Sequence, residues 1–413
     1  MKLKRHIRLK LFYLIVLLVI LLSLVGIFKL VKIYRVKHAK VLVKIHNKEV
    51  DVFDKVKLDH FIESINGKLI SNPKIDTTHI GTKEIYFEYI NDDNIKVPYT
   101  FNIKVVDKIP PLITKYSDVT VEQGEKNFYK KLFCGDNYDN TPKCIVKGEY
   151  DINTPGTYDI DFIGIDSSNN ESRQPIRLTV TEKKKKTTTS NNTTTNKKYV
   201  FPSNTIELNT IIDQYKNKHN KIGIDISYWQ GKIDYKKVKN SGVQFVIIRL
   251  GRQKGKNLEY TLDKKYKEYI EGFNKVKLPV GVYFYSYADS KEEARNQAKW
   301  VVKNIKKYDI DLPVVFDWEN FDHYRAYNLS FYNLTEMAKE FMKEIEDSGY
   351  ESMLYSSKAY LESVWMEGDY NVWLAHYTGK TDYDKKHNIW QITDRGKVPG
   401  INNSTVDIDI MYK

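Results

Sequence analysis

An uncharged apolar run near the N-terminus constrains this chain more than any other feature. Residues 11–28 read LFYLIVLLVILLSLVGIF, and Leu30 and Val31 extend the run beyond Lys29. A helix of this length crosses the roughly 30 Å hydrocarbon layer of a bilayer. No small-residue cleavage pattern follows the run, as a secretory signal peptide would require. We therefore predict an uncleaved transmembrane helix at residues 11–31.

Basic residues flank this predicted helix on both sides. Five Lys and Arg residues lie in residues 1–10 and four lie in residues 29–37. The excess before the helix favours a cytoplasmic N-terminal tail at residues 1–10. The character of the downstream domains favours the same orientation. We predict a single-pass protein of the cell membrane with its C-terminal domains outside the cell.

The net charge of +13 suits a polyanionic neighbour, such as nucleic acid, anionic lipid or an anionic wall polymer. The sequence contains no zinc-finger spacing, no glycine-rich phosphate loop and no RNA-binding signature. We therefore expect no nucleic-acid partner. The alternative is that the charge serves solubility and reflects a lysine-rich linker.

Two consecutive segments, residues 38–107 and 108–182, alternate apolar and polar side chains in short strand-like runs. Their endings are similar, with FEYINDD and YTFNIKVVDK in the first, and DFIGIDSSNN and IRLTVTEK in the second. This similarity predicts a tandem pair of small β-sandwiches, through which membrane or wall partners can bind. Cys134 and Cys144 lie ten residues apart, so they can close a disulfide loop outside the cell or remain as thiols.

The second segment resembles bacterial immunoglobulin-like surface domains, and the first resembles them more weakly. The matching positions are Asp107 with Pro110 to Ile113, Gly156 to Tyr158, and Asp166 with Asn169 and Asn170. After this segment the composition changes, because residues 183–198 contain no apolar side chain. We predict a flexible Lys/Thr/Asn linker at residues 183–204 and a short lead-in helix at residues 206–215.

Residues 221–413 change character again, because apolar runs of strand length alternate with amphipathic, helix-like stretches. The stretches 291–308 and 333–348 have helical spacing, and all six tryptophans of the chain lie in this segment. Strands that are apolar throughout and alternate with helices predict a parallel sheet covered on its faces. The fold class is therefore multidomain: a transmembrane helix, two all-β immunoglobulin-like sandwiches and a C-terminal irregular α/β barrel.

Four acidic residues lie at the ends of apolar strand-like runs: Asp225, Asp317, Glu319 and Asp407. A carboxylate in such a run is costly to bury without a partner or a task. Residues i and i+2 of a strand share a face and lie about 6.5–7 Å apart along the chain, which predicts that Asp317 and Glu319 place their carboxyl groups across one scissile bond. Glycoside hydrolysis needs such a pair, with one member protonated. Crowded carboxylates raise one another's pKa, which keeps that proton available near neutral pH.

Aromatic residues lie at or near the predicted strand ends and can form a sugar cleft. The candidate substrate-binding residues are Tyr283, Tyr285, Trp373, Tyr377 and Trp390. Taken singly, each of them can equally be a core residue. No histidine or cysteine spacing matches a metal site, and we expect neither a metal nor a cofactor.

The C-terminal segment resembles the family 25 glycoside hydrolases, the Chalaropsis-type lysozymes, over nearly its whole length. The resemblance rests on residues 223–231, 245–249, 281–283, 312–319, 373–377, 390–391 and 406–407. It implies an irregular β/α barrel without a metal and N-acetylmuramidase activity on peptidoglycan glycan strands. It also implies that Glu319 is the general acid and that Asp225, Asp317 and Asp407 complete the acidic cleft. Three positions depart from the family pattern: Trp318, Phe284 and Asp409.

Two other functions are compatible with the same residues. The domain can be a wall-tethered scaffold that holds glycan without cleaving it, although its complete set of acids argues against this. Alternatively, the chain can open the wall locally for an export or conjugation machine, which changes the biological role but not the chemistry.

Overall fold

The computed structural model describes residues 2–183 and 199–412, so most of the predicted linker at residues 183–204 lies outside the described residues. Contacts divide the chain into two compact units, Met1–Lys108 and Ile109–Lys413.

The first unit begins with a single long helix, α1 (Lys2–Lys37). Its large apolar side chains from Phe12 to Tyr34 are exposed, which is unfavourable in water and favourable in an apolar surrounding. Within the described residues, this is the only helix whose length and composition would allow it to cross a membrane, as a membrane anchor or a signal sequence would.

The rest of the first unit is a small β region with a four-stranded sheet in the order β2-β6-β5-β4 and a separate β1-β3 pair. Inward side chains alternate along its longest hairpin, and Phe87, Tyr89, Phe101 and Ile103 form part of its core. The strands are β1 (Val43–Ile45), β2 (Glu49–Asp51), β3 (Ile62–Ile65), β4 (Gly67–Leu69), β5 (Gly81–Asn91) and β6 (Lys96–Val106).

The second unit begins with a β domain of the same strand order, β8-β12-β11-β10, beside a short β7-β9 pair. In both sheets the last strand pairs antiparallel with the strand before it and parallel with an earlier strand, as a tandem repeat predicts. Cys134 and Cys144 form a disulfide in this domain. The strands are β7 (Leu112–Ile113), β8 (Asp118–Glu122), β9 (Cys134–Gly135), β10 (Lys143–Lys147), β11 (Gly156–Ile165) and β12 (Glu171–Thr181).

The remainder of the second unit alternates strands and helices, as the apolar runs predict. The strands are β13 (Ile206–Glu207), β14 (Asn220–Ile226), β15 (Phe245–Gln253), β16 (Tyr260–Leu262), β17 (Val280–Tyr285), β18 (Val314–Asp317), β19 (Ser352–Ser357), β20 (Val372–Ala375), β21 (Ile389–Lys397) and β22 (Val406–Tyr412). The helices are α2 (Leu208–Tyr215), α3 (Tyr235–Asn240), α4 (Tyr266–Lys275), α5 (Lys291–Ile305), α6 (Phe331–Asp347) and α7 (Lys358–Ser363).

The sheet of this domain closes on itself. Strands β14, β15, β17, β18, β19, β20 and β21 are successive parallel neighbours. Strand β22 then runs antiparallel between β21 and β14 and joins the two edges. The carboxyl ends of the parallel strands therefore meet at one end of the barrel, where α/β barrels carry their functional residues.

The β domain at residues 109–182 also contacts the barrel domain directly. The backbone N–H groups of Phe331 and Tyr332 at the start of α6 donate to the carbonyls of Asp136 and Asn137 at 2.8 and 3.2 Å. The first amides of a helix have no partner within the helix, so the β domain satisfies two of them. Arg325 donates to the carbonyls of Tyr129 and Cys144 at 3.1 and 3.4 Å and extends this contact.

Candidate active site

Strand register brings three acids together at one end of the barrel. Asp225 and Asp407 were predicted to lie in the acidic cleft, and Asp409 was not. Asp225 in β14 is the direct cross-strand partner of Asp407 in β22, and Gln391 in β21 is the partner of Asp409. Residues 407 and 409 share a face because side chains alternate along a strand. The amide nitrogen Nε2 of Gln391 donates to Oδ2 of Asp225 at 2.7 Å, which fixes the Asp225 carboxyl in the cluster.

The three acids of this cluster lie close enough to share protons. Asp225 and Asp407 are direct cross-strand partners, and Asp409 lies two residues further along the same strand face as Asp407. Burial is the first cause that raises the pKa of each carboxyl well above its usual range, and the neighbouring carboxylates raise it further. Because the pKa of each group is raised, the cluster retains protons at pH values where isolated carboxyls lose them.

Asp317 and Glu319 form a second acidic pair next to this cluster. Strand β18 ends at Asp317, and Glu319 has left the strand with φ −125° and ψ 19°. The strand geometry assumed for this pair therefore does not apply at Glu319, which lies beyond the end of the strand. Burial raises the pKa of both groups, and the charges of Glu319 and Asp225 raise that of Asp317 further.

Backbone contacts hold this acidic pair against the end of β17. The N–H of Ser286 donates to the carbonyl of Asp317 at 2.7 Å. The indole N–H of Trp318 donates to the carbonyl of Ala288 at 3.1 Å, and the side-chain amide of Asn320 donates to the carbonyl of Ser286 at 3.0 Å. Trp318, one of the departures from the family pattern, is fully buried and contributes packing at this point.

Solvent reaches the acids of the site unequally. Asp225 and Asp317 are each 4% exposed and Asp409 is 0% exposed, whereas Glu319 belongs to the exposed residues. A group that transfers a proton to a ligand must touch that ligand. Of the two carboxyls in the Asp317–Glu319 pair, Glu319 is the more accessible to an incoming molecule.

The predicted substrate-binding aromatics fall into two groups. Tyr377 is 53% exposed, and Tyr283 and Tyr285 are half-buried among the acids. Burial raises the pKa of the Tyr283 and Tyr285 hydroxyls, and the charges of the neighbouring acids raise it further. Trp373 and Trp390 are 2% and 4% exposed. The prediction that both tryptophans line a sugar cleft needs correction, because neither ring offers an open face for stacking.

Both buried tryptophans instead use their indole N–H groups to hold the site together. The N–H of Trp373 donates to Oδ1 of Asp409 at 2.8 Å. The N–H of Trp390 donates to the carbonyl of His376 at 2.8 Å and so anchors the residue before Tyr377. A buried indole needs such a partner, which accounts for their positions.

Sequence reasoning missed Tyr355 and the exposed ring of Trp229 as site residues. The hydroxyls of Tyr355 and Tyr377 both donate to Oε1 of Gln391 at 2.9 Å, and Gln391 in turn holds Asp225. Tyr355 is the register partner of Asp317 in the neighbouring strand, so the ends of successive apolar runs are the signal that could have located it. Trp229 is 65% exposed in the loop that follows Asp225.

A closed α/β barrel whose strand ends carry proton-sharing carboxyl groups beside exposed aromatic rings has the architecture of a glycoside hydrolase. Residues 224–401 match the family model of the glycosyl hydrolases family 25. The C-terminal domain of this chain belongs to that family.

Similar proteins share only part of their length with this chain. The "Autolytic lysozyme" of Clostridium acetobutylicum is 26% identical over 190 residues, which are 45% of this chain and 54% of that protein. The "Uncharacterized protein YegX" of Escherichia coli O157:H7 is 27% identical over 196 residues, 46% of this chain and 68% of that protein. A solved family 25 glycosyl hydrolase from Bacillus anthracis aligns with a TM-score of 0.40 and 22% identity, covering 48% of this chain and 92% of that one.

Proposed function

We propose that this chain is a membrane-anchored cell-wall hydrolase that cleaves the β-1,4 bond between N-acetylmuramic acid and N-acetylglucosamine in peptidoglycan. The observation that carries the proposal is the convergence of Asp225, Asp317, Glu319 and Asp407 at one end of the barrel, with Glu319 accessible. Membership of the C-terminal domain in family 25 supports the reaction type, and the autolytic lysozyme among its relatives supports the substrate.

Glu319 is the general acid of the proposed reaction. It is the accessible carboxyl of the pair, and partial removal of water raises its pKa, which favours the protonated form that a general acid needs. That proton passes to the glycosidic oxygen as the bond to the anomeric carbon breaks. The carboxylates of Asp225 and Asp407 make the surroundings negative, which stabilises the positive charge that develops on the sugar.

Asp317 acts on the substrate's acetamido group rather than on the anomeric carbon. Two carboxyls that attack and protonate from opposite sides of a sugar are about 5 Å or more apart. Asp317 lies two residues before Glu319, and Glu319 is its strongest charged neighbour, so we assign both carboxyls to one side of the sugar. No amide, hydroxyl or cationic group among residues 2–183 and 199–412 donates to Oδ1 of Asp317, so this buried oxygen can accept the acetamido N–H. The acetamido oxygen then faces the anomeric carbon.

The N-terminal helix keeps the enzyme at the wall in this proposal. The segment Phe12–Lys37 is long enough to cross a bilayer, and the slight excess of basic residues before it favours a cytoplasmic N-terminus. Tethering raises the effective concentration of the enzyme near glycan strands. We also propose that the two β regions are immunoglobulin-like domains and that they act as spacers.

The test compares the full chain, purified in detergent, with Glu319→Gln and with the control Glu351→Gln on purified peptidoglycan. Glu351 is exposed and precedes β19, at the opposite end of the barrel. We expect Glu319→Gln to lower the rate of release of reducing ends by on the order of 10²- to 10⁴-fold, the usual contribution of a general acid. We expect the control to retain the wild-type rate.

Mass spectrometry of the released fragments separates the remaining outcomes. New reducing ends on N-acetylmuramic acid support the proposed bond, and new ends on N-acetylglucosamine overturn it. Equal rates for Glu319→Gln and wild type overturn the assignment of the acid. Glycan binding by the wild type without any release identifies a scaffold instead of an enzyme.

A further inference from the structure

We propose that the lead-in segment, residues 204–215, completes a subsite that binds a further neutral N-acetylated sugar of the glycan strand beside the acidic cluster. This inference rests on the proposed function, because it requires a glycan strand in the neighbouring groove. The lead-in segment precedes residues 224–401, so the subsite uses a part of the chain that the family match does not include.

A cavity of about 500 Å³ lies between α2 and the ends of β20 and β21. Thr210 and Gln214 line it from the helix side, since residues four apart share a helix face. Ile211, at the next position, is buried in the barrel core and attaches the helix to the domain. The hydroxyl of Tyr215 donates to the carbonyl of Gly379 at 2.6 Å, so both walls of the cavity are joined before any ligand enters.

Tyr377 connects this cavity with the acidic cluster. Its ring lines the cavity, and its hydroxyl donates at 2.9 Å to Gln391, which holds Asp225 at 2.7 Å. Asp394 also lines the cavity and lies close enough to Asp407 to help raise its pKa. A strand that occupies the site at Asp225 and Asp407 therefore reaches the cavity through the exposed face of Tyr377.

The lining of the cavity suits a neutral sugar. Hydroxyl and amide side chains, including Thr210, Gln214 and Thr378, can pair with sugar hydroxyls and with an acetamido group, and the Tyr377 ring can pack on an apolar sugar face. The charged side chains of the lining, Asp394 and Arg395, are 3.6 Å apart and balance each other. An anionic stem peptide would find no excess positive charge here, which favours the sugar over the peptide.

The experiment fills the cavity from the exposed side of α2. Thr210→Trp places a large ring in the cavity, while Asn209→Trp places the same ring on the same helix outside the lining, and both positions are exposed. The substrates are peptide-free glycan oligosaccharides of alternating N-acetylglucosamine and N-acetylmuramic acid, one short and one twice as long. The measured quantity is the ratio of kcat/KM for the long substrate to that for the short one, using the full chain in detergent.

We expect Thr210→Trp to lower this ratio about tenfold, the change produced by losing ~1.4 kcal/mol of binding. We expect Asn209→Trp to keep the wild-type ratio, and Gln214→Ala, which only removes an amide, to lower the ratio about threefold. Equal ratios for all four proteins overturn the subsite. A loss seen only with peptide-bearing glycan overturns the choice of a sugar. Failure of the wild type to cleave either substrate would instead reject the proposed function.

Discussion

Replacing Asp409 with asparagine tests whether the acidic cluster destabilises the barrel at neutral and alkaline pH. Asp409 is fully buried, and its Oδ1 accepts the indole N–H of Trp373 at 2.8 Å. Burial is the first cause that raises its pKa well above the usual range, and the charge of Asp407 is the next. Asparagine has the same shape and retains an acceptor for Trp373, but it cannot ionise.

The sign of the effect follows from the direction of the pKa change. The folded protein holds the Asp409 proton more tightly than the unfolded chain does, so the stability linked to this proton is fully present below the ordinary carboxyl pKa. It is lost as the pH rises towards the raised pKa. Each unit of pKa difference is worth about 1.4 kcal/mol. We therefore expect Asp409→Asn to exceed the wild type in stability by at least ~1.4 kcal/mol near pH 8 and to match it near pH 4.

Chemical unfolding of the full chain in detergent, followed by tryptophan fluorescence, measures this difference in the barrel domain, since all six tryptophans lie in residues 221–413. Asp409→Ala is the control, compared with Asp409→Asn because neither residue can ionise, and it leaves the buried indole N–H of Trp373 without its acceptor. We expect that variant to lose about 1–3 kcal/mol relative to Asp409→Asn at both pH values. A difference between wild type and Asp409→Asn that is the same at both pH values would refute the reasoning.

Three further predictions concern the β domain and the reaction. Cys144→Ser opens the loop closed by the disulfide with Cys134, and we expect it to lower the stability of the β domain by about 3 kcal/mol, measured by hydrogen exchange in β10 to β12; unchanged exchange would contradict this. Arg325→Ala removes two charged hydrogen bonds to carbonyls of the β domain. We expect faster hydrogen exchange at the start of α6 and a loss of about 2–3 kcal/mol of stability, with an intermediate loss for Arg325→Lys. Exchange in Arg325→Ala as slow as in the wild type would show that the contact contributes nothing. Chemical removal of acetyl groups from the glycan should lower kcat/KM by at least ~100-fold if the acetamido group takes part, as an oriented neighbouring group should; equal rates on both glycans would exclude that role.

Strand-end acids were the part of the site that could be predicted from the sequence. Asp225 and Asp317 lie at the carboxyl ends of parallel strands, which meet at one end of the barrel, and Asp407 lies at the start of the antiparallel strand β22, directly opposite Asp225. The strand conformation that we assumed for Glu319 does not apply, because the strand stops at Asp317 and the backbone then turns. The direction of the Glu319 side chain depends on where the strand ends, and the apolar pattern of a strand does not fix its end.

The roles of the aromatic residues were harder to predict. Trp373 and Trp390 lie at strand ends as expected, yet both are buried. Their indole N–H groups bind Asp409 and the carbonyl of His376, which depend on the register of β22 and on the turn after β20. Alternation along one strand does not say which face of a barrel strand meets solvent. Tyr355 was missed for the same reason, because its partner Gln391 lies in a different strand.

The contact between the β domain and α6 could not be predicted from the order of the domains in the sequence. The segment that follows Glu319 is held at its start by the bond from Asn320 to the carbonyl of Ser286, inside the barrel domain. A few residues later, Arg325 binds carbonyls of the β domain, and the first amides of α6 donate to that domain as well. The chain that carries the accessible acid is therefore anchored from two domains. Residues 109–182 therefore support the segment that carries the site.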